Sequence, residues 1–272
     1  MEFNITPFFL KNHPRQLFVI NYSPVDHPPA ASIIFLPPFA EEMHKSRHLV
    51  SQQARQFAEK GYQVVVFDLT GCGDSPGSFE DATWEIWTED AYACCDWLAS
   101  TSSAPLFLWG LRTGGLLATA LSTQYHNATK LLLWQPVIDG EHFVKQFIRQ
   151  KLATHNLLSG SSEKLDSKNL LNNLNNQGYI EIGGYNTAET LLTAISRLKI
   201  TDNTPQCPVY WLELGLENSE TLCPASHQAA AAWRESDVRL ITKTIKGQPF
   251  WSTQELLDSP ELIKTTSDVL LS

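Results

Sequence analysis

Four apolar runs constrain this chain most: Ala31–Leu36 (ASIIFL), Gln63–Leu69 (QVVVFDL), Pro105–Trp109 (PLFLW) and Lys130–Val137 (KLLLWQPV). Each is far shorter than a membrane span, and their β-branched, nearly continuous apolar character reads as strands buried on both faces. Helical patterns separate them. Arg47–Lys60 places Leu49, Val50, Ala54, Phe57 and Ala58 on one face and stops at Gly61. From Thr83 the period changes to 3–4, with Trp84, Trp87, Ala91, Cys94, Cys95 and Leu98 in one stripe. Gly114–His126 reads as the helix after the third run. Gln16–Ser23, Pro208–Leu214 and Asp237–Ile245 add further strands, Pro224 is placed to open a helix, and a final amphipathic helix starts at Pro260. This alternation predicts an α/β fold: a mostly parallel central sheet with helices on both faces. Residues 138–205 interrupt it, with helical flavour and an Asn-rich stretch at 169–177. Too long for a simple loop, they are expected to form an inserted, mainly helical cap on a core made of 1–137 and 206–272.

Composition supports a packed core, with 43% hydrophobic and 18% charged residues in 272. The 20 Lys+Arg against 29 Asp+Glu give a net charge of −9 and no basic run, which argues against nucleic acid or an anionic membrane as partner. Five cysteines, Cys72, Cys94, Cys95, Cys207 and Cys223, show neither a disulfide framework nor zinc-ligand spacing. The N-terminal MEFNITPFFL lacks a basic start and a long apolar core. The expectation is a cytoplasmic protein with no metal and no cofactor. Gly71, Gly73 and Gly77 miss the dinucleotide-binding spacing and read as a structural turn, with Asp68 and Asp74 as turn formers.

One segment carries chemistry. Strand PLFLW runs into Gly110-Leu111-Arg112-Thr113-Gly114-Gly115 and then a helix, the strand–sharp turn–helix context of a nucleophile elbow, G-x-S-x-G. Both flanking glycines are present, but Arg112 stands at the centre.

The chain here resembles the α/β-hydrolase superfamily. Asp68-Leu-Thr-Gly71-Cys-Gly73-Asp74-Ser75 is similar to that superfamily's D-x-x-G-x-G-x-S turn, and Leu36-Pro37-Pro38-Phe39-Ala40-Glu41-Glu42 stands where it keeps its oxyanion-hole loop. More narrowly, PPFAEEMHKSR, GLRTGG, LLLWQPVIDGEHFVKQFIRQ and GQPFWSTQE together resemble the exosortase A system-associated hydrolases, type 2. The resemblance implies an α/β-hydrolase fold and a link with bacterial exopolysaccharide and protein-sorting systems; it implies no particular substrate.

Acyl transfer on this fold needs a nucleophile, a His base and an acid to orient it. Arginine has no acceptor lone pair and stays protonated, so Arg112 cannot attack. Thr113 is rotated by about 100° round the emerging helix. The loop after the last strand, Lys246–Trp251, where the His is expected, contains none and ends in Trp251. Among the histidines only His44 and His142 fall near the cleft, and both read as surface or structural groups. Glu213, Glu217 or Glu220 could fill the acid position, with no base to orient.

A buried arginine needs a partner, so Arg112 is expected to pair with Glu41 or Glu42, with Glu255 next, within about 3 Å. The same guanidinium beside a helix N-terminus could bind a small anionic or acyl-containing ligand, with Phe39, Ala40, His44 and Trp251 around it. Three functions follow: a ligand-binding protein that has lost serine-type catalysis, an ester or thioester hydrolase using water activated by Glu42 or Glu217, or a protein-interaction module. An open site around Arg112 favours the first two, and one filled by side chains favours the third.

Overall fold

A computed structural model describes residues 1–125, 127–158, 178–182, 184–216, 221–253 and 255–271, with side-chain surroundings left out at 150–158 and 182. The elements, in chain order, are β1 (Phe3–Asn12), β2 (Arg15–Pro24), β3 (Ser32–Leu36), α1 (Glu41–Glu59), β4 (Gln63–Phe67), α2 (Trp84–Thr101), β5 (Leu106–Leu111), α3 (Thr113–Gln124), β6 (Ala128–Trp134), α4 (Gly140–Leu158), β7 (Tyr179–Ile182), β8 (Tyr185–Ala188), α5 (Glu189–Ser196), β9 (Val209–Gly215), α6 (Pro224–Glu235), β10 (Leu240–Lys246) and α7 (Pro260–Leu270). Short 3₁₀ turns occupy Phe79–Asp81 and Ile200–Asp202.

Eight strands form one sheet in the order β1-β2-β4-β3-β5-β6-β9-β10. From β4 to β10 every pairing is parallel, whereas β1–β2 and β2–β4 are antiparallel. The four apolar runs of the sequence are the central strands. Their alternate residues enter different layers: Ile34, Leu131 and Leu133 pack with α2, α3 and α6, while Ile33, Phe35, Leu132 and Trp134 pack with α1 and α7. Side-chain bonds pin the second layer, Trp134 Nε1 donating to Thr266 Oγ1 (2.9 Å) and Gln53 Nε2 to Ser267 Oγ (3.1 Å).

Three departures from the sequence reading have physical reasons. The first strand, β1, carried no sequence assignment because it is an edge strand that contains Pro7 and buries no residue fully, with only Phe8 and Leu10 of its second half turned towards the core. Helix α1 begins at Glu41, six residues before the expected Arg47, because its first turn carries acidic residues rather than an apolar stripe. The segment expected to be mainly helical contains α4 and α5 but also the antiparallel pair β7–β8. That pair is docked by Asn186 Nδ2 on Glu80 Oε2 (3.1 Å) and by the Phe79–Tyr185 ring contact. The Asn-rich stretch at 169–177 lies outside the described residues.

The turn from β5 into α3 is closely packed on backbone atoms. A Cβ on Gly114 would stand 2.0 Å from the Leu36 carbonyl oxygen and 2.7 Å from that of Pro37; one on Gly110 would stand 2.5 Å from the Gly114 oxygen. These are backbone atoms and cannot swing away. Gly114→Ala is expected to cost about 3 kcal/mol or more. Denaturant unfolding checks this, and an unchanged midpoint would mean that the turn does not pack as described.

Candidate functional site

At the end of β5 the chain reverses through Arg112, at φ 55° and ψ −118°, a conformation that costs a non-glycine residue energy and persists only where its surroundings impose it. Its N–H donates to the Trp134 carbonyl (3.1 Å), and its carbonyl accepts from Gly115 (2.9 Å) and Val137 (3.1 Å). The elbow geometry is therefore complete, with a guanidinium where a nucleophile would stand. Ala40, which precedes α1, has similar strain at φ 51° and ψ −126°. Two helix N-termini, those of α1 and α3, thus follow strained residues in the turns that leave the neighbouring strands β3 and β5.

Arg112 links the two. Its Nε donates to Glu42 Oε1 at 3.3 Å, with each side chain 17% exposed. Of the three expected partners Glu42 is the one used, at a slightly longer distance than anticipated. Glu41 instead faces Lys45 one turn along α1 (3.6 Å), and Glu255 is exposed. The helix geometry selects Glu42, since Glu41 and Glu42 point about 100° apart. Arg112 Nη1 reaches the carbonyl of Gln135 (3.4 Å), itself a residue of positive φ (42°). Gln135 is fixed by donating its N–H to Leu212 (2.8 Å) and accepting on Oε1 from Leu214 (2.8 Å). Among the described residues Arg112 Nη2 makes no hydrogen bond.

Aromatic rings surround this pair. The guanidinium carbon lies 5.2 Å from the Trp251 ring centroid and 5.9 Å from that of Phe143, both within cation–π range. Trp251 comes from the histidine-free loop after β10. Lys45 Nζ on the Ser252 carbonyl (3.4 Å) and the Phe250–Trp251 contact (5.0 Å) hold it there. Phe39, at 1% exposure, meets Phe79, Trp87, Phe143 and Phe147 edge-on, with centroids 5.0–5.9 Å away. Two of these rings come from α4, so the 138–205 segment reaches the elbow. Phe143 and Phe147 give no sequence signal as site residues, because aromatic spacing of four on a helix reads as ordinary core.

The other candidates sit elsewhere. Thr113 is buried at 2% as the first residue of α3. Glu213, 3% exposed, accepts from Trp211 Nε1 (3.1 Å) and from the Cys223 N–H (3.1 Å), which ties β9 to the start of α6. Glu217, Glu220 and His126 lie outside the described residues. His142 is exposed, and its N–H donates to Asp139 Oδ1 (2.9 Å), a turn contact at the start of α4. His44 is exposed and stacks on Tyr185 of β8, with centroids 6.5 Å apart. Among the described residues no group of three or more His, Cys, Asp or Glu is gathered to hold a metal. No helix there is long and apolar enough to cross a membrane.

A family model described as serine aminopeptidase, S33 (Hydrolase_4) matches residues 27–179. No curated protein matches the sequence. Solved structures resemble the fold along almost the whole chain. Est1E from Butyrivibrio proteoclasticus, with ferulic acid bound, superposes with a TM-score of 0.69 at 18% identity, covering 97% of this chain and 98% of that one. A thermostable carboxyl esterase from Bacillus coagulans gives 0.63 at 12% identity, covering 100% and 97%. The esterase domain of a Rhodothermus marinus protein gives 0.60 at 19%, covering 99% and 96%.

Desolvation and the nearby Arg47 lower the His44 pKa, with Asp68, Glu41 and Asp74 partly opposing. A folded state that favours the neutral ring is stabilised above the ordinary value of about 6.5 and loses that contribution as pH falls through the lowered one. Between pH 7.5 and 5, the melting temperature is expected to fall more for the parent protein than for His44→Gln. Equal slopes in thermal melts would contradict the assignment.

Proposed function

The chain belongs to the serine aminopeptidase S33 family of the α/β-hydrolase superfamily, and we propose that this member binds a small anionic or acyl-bearing molecule over its elbow without serine-type acyl transfer. The observation that carries this reading is Arg112 itself. Its Nε is on Glu42, its Nη1 is on a carbonyl, and its Nη2 makes no hydrogen bond among the described residues on a side chain still 17% exposed. One nitrogen remains to receive an oxygen of a carboxylate or acyl group, with Trp251 and Phe143 as walls. Because Glu42 already offsets the charge of Arg112, the site suits a monoanion or a carbonyl better than a dianion. The ferulic acid in Est1E is a molecule of this kind: a planar acid with an aromatic body.

Several features argue against a conventional triad. Arg112 cannot attack a carbonyl, Trp251 stands in the loop where the base belongs, and Glu213 is committed to the Trp211 indole and the Cys223 N–H. Glu42 is held as a counter-ion, which disfavours it as the base of a water-based hydrolase. In this reading residues 138–205 act as a cap that contributes Phe143 and Phe147 to the ligand's roof. The protein works in the cytoplasm, on a small molecule rather than on nucleic acid or a membrane, and the resemblance of its four motifs to the exosortase A system-associated hydrolases supports a task in such an exopolysaccharide system. A second reading, a protein-interaction module with a vestigial cleft, draws on the aromatic packing around Phe39.

A thermal-shift series with ferulate, benzoate and inorganic phosphate tests the proposal. Ferulate or benzoate is expected to raise the melting temperature of the parent protein and not that of Arg112→Gln, and phosphate to do little. No fluorophosphonate labelling is expected, and Arg112→Ser alone should not create an efficient esterase. Stoichiometric labelling, or an equal ligand shift in Arg112→Gln, would overturn it.

A further inference from the structure

A cavity lies beside α1, away from Arg112. Between α1 and strands β2, β3 and β4 the structure leaves about 200 Å³ of space, lined among others by Tyr22, Phe35, Val50 and Phe67, which are buried, and by Ile20 and Val66, which are half-buried. The space is a cleft partly open to solvent, with an apolar floor. It exceeds the roughly 150 Å³ apolar cavity known to admit benzene. The lining is mostly apolar and offers water few partners, since Tyr22 Oη and Ser51 Oγ already face each other at 3.3 Å.

The rim supplies charge. Arg47 and Asp68 both line the cavity, and Arg47 Nη2 bonds both carboxylate oxygens of Asp68 at 2.7 Å. The pair is locked from behind, because the Asp74 N–H also donates to Asp68 Oδ2 (2.9 Å). Gly73, at φ +54°, leaves no room there either: a Cβ would stand 2.1 Å from Asp68 Oδ2 and 2.3 Å from Arg47 Nη2. Arg47 is 36% exposed, and among the described residues its Nε and Nη1 make no hydrogen bond. Arg47 thus lines the apolar slot with two guanidinium nitrogens not used by Asp68. Asp68 offsets much of the Arg47 charge, which favours a monoanion over phosphate.

We propose that this slot is a second ligand site, separate from the elbow, which takes a monocarboxylate bearing a compact apolar tail of about six carbons. The tail lies against Phe35, Val50 and Phe67, and the carboxylate meets Arg47. The aromatic elbow site is not needed for this binding, so the two sites fail or succeed independently.

Calorimetric titration of the full chain with hexanoate, acetate and hexanol tests the assignment. Hexanoate is expected to bind saturably, and acetate, which lacks four methylenes, about tenfold more weakly or worse. Arg47→Gln should weaken hexanoate but not hexanol. Val50→Phe fills the slot and Ser51→Leu narrows its half-buried mouth; each is expected to weaken hexanoate about tenfold. Ser51→Leu keeps the test usable should Val50→Phe not fold. Because the elbow also suits a monoanion, the titration is repeated in Arg112→Gln, where saturable hexanoate binding is expected to remain. Absence of saturable hexanoate binding, unchanged affinity in Ser51→Leu, or loss of binding in Arg112→Gln would each overturn the proposal.

Discussion

The ion pair between Arg112 and Glu42 joins two helix starts that the sheet brings side by side. Strands β3 and β5 are neighbours, and each leads through a strained residue, Ala40 or Arg112, into a helix, α1 or α3. The glycines at 110 and 114 let the two turns approach until the α3 backbone touches the Leu36 carbonyl. A guanidinium forced into that contact needs a counter-charge, because an arginine more than four-fifths buried without one would cost several kcal/mol. Glu42, in the first turn of α1, provides it. Trp251 and Phe143 then exclude much of the surrounding water, which strengthens the attraction.

This arrangement explains how one fold can keep its architecture while its elbow changes chemistry. The strain at Arg112 comes from backbone packing, through the bonds to Trp134, Gly115 and Val137, and does not depend on the side chain that the turn presents. The turn presents Arg112, and the loop after β10 brings the Trp251 ring centroid to 5.2 Å from its guanidinium carbon. The resemblance to esterase structures, at 12–19% identity, is one of fold.

Much of this was legible in the sequence. The central strands announced themselves because burial on both faces leaves continuous apolar runs, and the elbow because close backbone contact requires glycine at fixed spacing. Trp251 stood out by occupying a loop where the fold keeps a histidine. What stayed hidden depends on contacts between distant segments. Glu41 and Glu42 were equivalent until the helix start was known, since one residue changes the direction of a side chain by about 100°. Phe143 and Phe147 looked like core spacing on a helix, and only the fold carries α4 over Phe39. Strand β1 was silent because only a short stretch of this edge, around Phe8 and Leu10, faces the core, and the β7–β8 pair because four-residue strands are too short to show a period.

The account rests on Arg112 and Glu42 acting as one unit, and a double-mutant cycle measures that directly. Arg112→Ala, Glu42→Ala and the double variant would be compared by denaturant unfolding at neutral pH. A coupling energy of about 1 kcal/mol or more is predicted, with the double variant less destabilised than the two single changes would give if they were independent. Additivity to within about 0.3 kcal/mol would contradict it, and would make the contact incidental to the elbow.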